Sequence, residues 1–248
     1  MVPDIATELA RRLGLGDAPP DAEVAARESE RLGDVVVRPE HLVLSAAPDL
    51  ERARVVLQEV MADRAHAQYA ALRPVADPGT AVLVAGVPGT GKSTLAEAVA
   101  RHLRAPVFSM DWQLGALVPF GALRTDNTQP LAETVITASV ARQLQLGLDV
   151  VVDATGHRRE TRRRWREVTE NLGGTFVGVE CVCSDESVQR ARVEGRSRGI
   201  PGWHATVSWE HVLRMKSLWE DWDEPHLVLD SAVVPPEEAV RQVIAALR

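Results

Sequence analysis

Gly86-Val87-Pro88-Gly89-Thr90-Gly91-Lys92-Ser93 reads G-x-x-x-x-G-K-S, and it is flanked by Ala81 to Ala85, patterned as a buried strand, and Thr94 to Leu103, patterned as an Ala-rich helix. In that context the octapeptide is a phosphate-binding loop. Glycines let the backbone curl tightly enough for successive N–H groups, with the positive end of the following helix, to face one anion. The spacing assigns Lys92 to the β- and γ-phosphates of a nucleoside triphosphate and the Ser93 hydroxyl to Mg²⁺. A turn kept for structure alone would account for the glycines, but not for the lysine or the strand and helix around it.

Lys92 is unusual in this chain for a second reason. Of 28 basic residues only two are lysine, Lys92 and Lys216, so arginine is the default cation. A compact ammonium acting as a point charge on phosphate explains the exception at Lys92.

From Thr80 onward strands alternate with helices, the signature of an α/β fold with a parallel sheet and helices on both faces. Strands are expected at Ala81 to Ala85, Val107 to Ser109, Val150 to Val152, Phe176 to Val182 and Leu227 to Leu229. Helices are expected at Thr94 to Leu103, Pro130 to Leu146, an arginine-rich stretch after Asp153, Ser187 to Glu194, and Glu237 to Leu247. Between Asp111 and Pro130, Pro119 and Gly121 point to a loop. Before Pro74 the pattern is helical, over Ile5 to Leu13 and Leu50 to Leu72, with Val35 to Val37 as a short strand or extended segment. Pro74, Asp77, Pro78 and Gly79 are breakers and mark a boundary. The expected organisation is a helical N-terminal region, 1–74, without an assigned role, and a phosphate-loop domain, 75–248.

Asp153 ends a strand of valines, where a carboxylate reaches the ligand crevice of a parallel sheet and can serve magnesium; capping the next helix is its alternative role. Ala154 and Thr155 follow it, with no glutamate to polarise water, so the site suits an acceptor other than water. Asp111 ends the preceding strand and is the candidate general base for an acceptor hydroxyl, with a cap or turn as its rival role and Asp126 as a weaker candidate. Arg190, Arg192, Arg196 and Arg198, spaced around Gly195 and Gly199, read as a lid whose cations close over the transferring phosphoryl group, or else as surface charge.

Arg158, Arg159, Arg162, Arg163, Arg164 and Arg166 crowd one helix; a solvated face is the plainer reading and substrate contact the other. Trp209, Val212, Met215, Trp219 and Trp222 fall at helical spacing and read as packing. Cys181 and Cys183 would share one face of a strand, where they read as core residues rather than a disulfide or zinc pair. A net charge of −7 means that any nucleic-acid partner must be held by a local patch. No run reaches the roughly 18–20 apolar residues of a membrane helix. The acidic N-terminus, with Asp4 and Glu8, does not read as a leader, so a cytoplasmic location is expected.

With these residues in place, the chain from 80 to 248 resembles the P-loop phosphotransferases that include polynucleotide 5′-hydroxyl kinase, zeta toxin and chloramphenicol phosphotransferase. The likeness rests on Gly86 to Thr94, on Ser109-Met110-Asp111, on Leu146-Gly147 leading to Val150-Val151-Val152-Asp153-Ala154-Thr155, and on Arg190 to Arg198. The resemblance implies a five-stranded sheet in the order 2-3-1-4-5, Gly86 to Thr94 as the ATP-binding segment, Asp111 as base, and Arg192 or Arg196 as the transition-state arginine. Where relatives resembling polynucleotide kinase carry an arginine soon after the base, this chain has Trp112 and Gln113.

The function expected is ATP- and Mg²⁺-dependent transfer of the γ-phosphate to a hydroxyl, on a nucleic-acid end or a small molecule. A non-catalytic ATP-sensing module with a protein partner, or an ATPase, are the rival readings. A GTP switch is not among them, because Lys216 is followed by Ser217 and Leu218 rather than completing an N/T-K-x-D guanine-reading motif.

Overall fold

Asp4 and Asp21 each start a helix by accepting hydrogen bonds from backbone N–H groups of the next turn, and glycines in the left-handed region end both. Helix α1 (Ile5–Leu13) stops at Gly14, φ 64°, and α2 (Ala22–Leu32) at Gly33, φ 78°. Pro39 opens α3 (Pro39–Ser45), and α4 (Leu50–Ala70) follows. The computed structural model describes residues 4–16, 18–195, 199–203 and 207–247. They divide into two units: Met1–Ala67 with Arg124–Leu131, and Gln68–Leu123 with Ala132–Arg248.

The first unit is helical around Leu9, Leu44, Ala53 and Leu57. Its interior also holds Glu28, which is ion-paired to Arg31 and Arg54. Asp126 belongs to this unit, where Arg31 donates to it at 3.1 Å and Arg124 at 3.2 Å. Those bonds, between residues far apart in sequence, tie Arg124–Leu131 to the N-terminal helices. Val35 to Val37 form no strand; they lie in the irregular link between α2 and α3, with Val35 fully exposed. A strand needs a neighbouring ladder, and none of the unit's described segments offers one.

The second unit is built on β1 (Thr80–Ala85), β2 (Val107–Ser109), β3 (Val150–Asp153), β4 (Thr175–Val182) and β5 (Leu227–Asp230). All are parallel, in the order β2-β3-β1-β4-β5, as expected. Its helices are α5 (Lys92–Leu103), α6 (Met110–Leu117), the greater part of α7 (Thr128–Gln145), α8 (Arg159–Asn171), α9 (Glu186–Glu194), α10 (Trp209–Ser217) and α11 (Pro236–Ala246).

Alternation along β1 feeds two cores. Ala81, Leu83 and Ala85 pack with Ile136 and Leu144 of α7, Trp165 of α8 and Leu172 just beyond it, while Val82 and Val84 pack with Ala96 and Val99 of α5 and Val243 of α11. Covered on both faces, the central strands must be apolar throughout, which is why the valine run at 150–152 is legible as a strand. Five parallel strands end at one edge of the sheet, so the loops after β1, β2, β3, β4 and β5 share that edge.

Helix α6 replaces the loop expected after Asp111. It starts directly from β2, and although Gly115 lies within it, Leu114 is buried and the turn is held by packing rather than by propensity.

Trp165, 1% exposed, donates from Nε1 to Thr137 Oγ1 at 3.1 Å and so joins α8 to α7 over the sheet. Trp165→Ala is expected to cost about 3–5 kcal/mol in chemical denaturation. Thr137→Val, which removes only the acceptor, is expected to cost about 1–3 kcal/mol; equal costs would show that the indole is held by the hydrogen bond and not by its volume.

Candidate nucleotide-binding and transfer site

The phosphate loop leaves β1 at Gly86, whose φ of 149° is open to glycine and strained for other residues. A Cβ there would stand 2.5 Å from the Cys181 carbonyl oxygen of β4 and 2.7 Å from Thr90 Oγ1. Gly86 N donates to Thr155 O at 3.0 Å, and Thr90 Oγ1 donates to Val87 O at 2.9 Å, so the loop is fastened to the β3–α8 segment and across itself. Gly91, φ 85°, then turns the chain into α5, whose N-terminus has no side-chain cap. The positive end of the α5 dipole stands at this turn, where it favours an anion.

Lys92 and Ser93 are the first residues of α5, and both are buried. Asp153 closes β3 in register with Val84 of β1 and Ser109 of β2, and is 4% exposed. Lys92 follows the loop that leaves β1 at the sheet edge where β3 ends at Asp153. Two residues beyond Ser109, Asp111 sits in the first turn of α6 and is half-buried. Gly115, four residues on and so on the Asp111 face of that helix, meets the segment 199–203: a Cβ there would lie 2.5 Å from Pro201 O.

Helix α9 clamps the loop from outside. Gln189 donates from Nε2 to Pro88 O at 2.8 Å, and Arg192 donates to Gly89 O at 3.4 Å. Arg192 also donates to Ser231 Oγ at 2.7 Å and Ser231 O at 3.1 Å, bridging the phosphate loop to the turn after β5. Asp230, at the end of β5, accepts from Ser184 N and Ala232 N, and the Ser184 side chain together with these backbone bonds holds its carboxyl below the usual range. Beside this bridge lies a cavity of about 400 Å³ lined by Leu95, Ala98, Arg192, Leu229, Val234 and Ala239 among others. Sequence reasoning did not find it, because its wall is assembled from α5, β5 and α11 and no local motif marks it. Arg196 lies outside the described residues.

The arginine-rich helix divides by face. Arg163 is exposed, 63% for its side chain, and pairs with Glu160, as a solvated face requires. Arg162 is instead fully buried: it donates to Gly156 O at 2.6 Å, Glu220 O at 2.7 Å and Asp221 O at 3.0 Å, with its guanidinium 4.5 Å from the Trp222 ring centroid. Burial holds its pKa below the usual arginine value. Trp209, Val212 and Met215 pack with Val87 of the phosphate loop and Val193 of α9, so that stripe is core. Cys181 and Cys183 are buried free thiols.

The model of the family described as AAA domain matches residues 82–221, more than half of the 248-residue chain. The chain belongs to that family. The matched span holds the phosphate loop, Asp111, Asp153 and Arg192. No curated protein matches the chain in sequence. Among solved structures it is similar to APE1195, with 21% identity over 69% of this chain and 95% of that one and a TM-score of 0.53. It is similar too to a proposed kinase from Chloroflexus aurantiacus, with 20% identity, coverage of 69% and 100%, and a TM-score of 0.52. A third is Kti12 from Chaetomium thermophilum in complex with ADP-AlF3, with 18% identity, coverage of 68% and 97%, and a TM-score of 0.51. These likenesses show a shared fold, and in this chain that fold is the parallel sheet with helices on both faces and the phosphate loop after β1.

Two outcomes follow from the packing around Gly86 and Cys181. Gly86→Ala, with strain of roughly 1–3 kcal/mol before any clash is relieved, should weaken MgATP binding by about tenfold or more in titration calorimetry; unchanged affinity would mean that the loop tolerates a Cβ against β4. Burial pushes the Cys181 thiol up to about 12. Alkylation at pH 8 should therefore leave it unmodified in the native protein and proceed only after denaturation, as mass spectrometry would read.

Proposed function

We propose that this AAA domain family member is an ATP- and Mg²⁺-dependent phosphotransferase that moves the γ-phosphate of ATP to a hydroxyl. One observation carries the reading. The position after Asp153 is Ala154, 1% exposed and packed into the core, so the strand end beside the phosphate loop bears one carboxylate and no second one to activate water. The carboxylate left for proton abstraction is Asp111, in the first turn of the helix that follows the neighbouring strand.

In this reading the amides of Gly86 to Thr94 and the α5 N-terminus hold the triphosphate, and Lys92 offsets charge on its β and γ oxygens. Ser93 Oγ and Asp153 present a hydroxyl and a carboxylate, oxygen donors of the type magnesium takes alongside phosphates and water. Bound magnesium would neutralise charge on the transferring group. Asp111 accepts the proton of the acceptor hydroxyl as its oxygen attacks phosphorus, and Arg192 reaches the phosphate side from α9, as Arg196 does in the sequence-based expectation. The apolar cavity beside Arg192 takes the base, with the guanidinium against it.

The acceptor is a hydroxyl compound, either a small molecule or a polynucleotide end. Burial of Arg162 and the pairing of Arg163 with Glu160 favour the small molecule, because they remove cations from the patch a nucleic acid would need. Free thiols fit a reducing, cytoplasmic setting.

Labelled ATP incubated with oligonucleotides and small alcohols identifies the acceptor. With it, Asp111→Asn should lower transfer by about 10²–10⁴ while MgATP affinity stays within roughly twofold. Lys92→Ala should lose both. Full turnover in Asp111→Asn would remove the base assignment, and MgATP binding with no transfer to any acceptor would favour the sensing module.

A further inference from the structure

Arginine is rarely buried without a carboxylate partner, yet Arg162 is fully buried and the hydrogen bonds it donates all go to main-chain carbonyls: Gly156 O at 2.6 Å, Glu220 O at 2.7 Å and Asp221 O at 3.0 Å. Taking a guanidinium out of water is expensive, and an apolar side chain of similar volume would serve stability as well or better. The cation at this position is explained by what it holds in place.

On one side it holds the turn after β3. Successive carbonyls of that turn have different duties: Thr155 O accepts from the N–H of Gly86, the first residue of the phosphate loop, at 3.0 Å, and Gly156 O accepts from Arg162. The turn has no slack against β1. Gly156 has a φ of 59°, and a Cβ on it would stand 2.9 Å from the Cβ of Ala85, the last residue of that strand. Ala154 N also donates to Val84 O at 3.3 Å. A shift of Gly156 is therefore a shift of the carbonyl that anchors the start of the loop.

On the other side Arg162 holds the segment after α10, and that segment is itself fixed. Glu220 N donates to His157 O at 2.9 Å, and Glu220 Oε2 accepts from Arg159 N at 2.6 Å. Trp222, whose ring the guanidinium covers, lies so close to β4 that a Cβ on Gly178 would be 2.6 Å from it, and it stacks on His226 with ring centroids 4.4 Å apart. His226 Nε2 lies 3.3 Å from Oε2 of Glu180, which is in register with Ala85. Arg162 thus ties the turn to a segment braced on β4, the strand whose Cys181 carbonyl stands against Gly86.

We propose that Arg162 is a positioning residue for nucleotide binding: by fixing Gly156 O it fixes the adjoining Thr155 carbonyl that receives the Gly86 N–H, and so holds the entry of the phosphate loop in its binding shape before the nucleotide arrives. It touches no phosphate. Its contribution is preorganisation, which lowers the ordering cost that binding would otherwise carry.

The test reads binding by the full chain rather than transfer, and it rests on the phosphate loop taking up nucleotide. At a temperature where every variant is folded by circular dichroism, titration calorimetry compares Arg162→Met with Thr137→Val, which loosens the same helix through Trp165 without touching the turn. Arg162→Met should bind MgATP at least about tenfold more weakly. Exchange of the Gly86 amide in nucleotide-free protein, followed by NMR, should quicken by about the same factor. Thr137→Val should leave both within about twofold of the unsubstituted protein. Arg162→Lys, which keeps the charge and loses the planar fork, carries the same expectation and serves where Arg162→Met does not fold. Unweakened MgATP binding in the Arg162 variants overturns the assignment and leaves the nucleotide reading standing. An equal loss in Thr137→Val does the same, because it would make Arg162 a source of stability alone. No MgATP uptake by the unsubstituted protein overturns both.

Discussion

The closeness of β4 to the start of the phosphate loop is what the rest of the site depends on. Where β1 ends, the Cys181 carbonyl and the Thr90 hydroxyl occupy the space a side chain at Gly86 would need. Because that space is taken, only glycine fits at position 86, and the chain turns there into the loop that leads to α5. The register of β1 with β4, from Thr80 opposite Thr175 to Ala85 opposite Glu180, fixes where that carbonyl stands. Sheet pairing thus sets the geometry of the phosphate loop as directly as the glycines do.

Electrostatics explains why several arginines of so arginine-rich a chain are not offered to a ligand. Arg162 is spent on three carbonyls and a tryptophan face; Arg31 and Arg124 are spent on Asp126, and Arg54 on Glu28. Paired guanidiniums contribute little field of their own. Against that background the two lysines are informative: one is buried at the head of α5, and the other lines a cavity behind the loop.

Helix α9 joins these features. Its Gln189 and Arg192, three residues apart and on one face, grip Pro88 and Gly89, and Arg192 reaches across to Ser231. Anything that moves α9 therefore moves the outer wall of the phosphate loop and the wall of the cavity beside Arg192 together. The 199–203 segment packs on Gly115 of α6.

What could be read in the chain without coordinates was whatever short-range chemistry determines. The phosphate loop, the valine strand ending at Asp153 and the apolar strands of the sheet each depend on the conformational limits of a few neighbouring residues or on burial of both faces. Helix α6 escaped because Gly115 and Pro119 mask its period, and only packing through Leu114 and Gly115 holds it. The burial of Arg162, the attachment of Arg124–Leu131 to the N-terminal helices and the cavity beside Arg192 were decided by tertiary structure alone. Each is a meeting of residues tens of positions apart, and local sequence carries no record of which distant carbonyl, ring or carboxylate a side chain will meet.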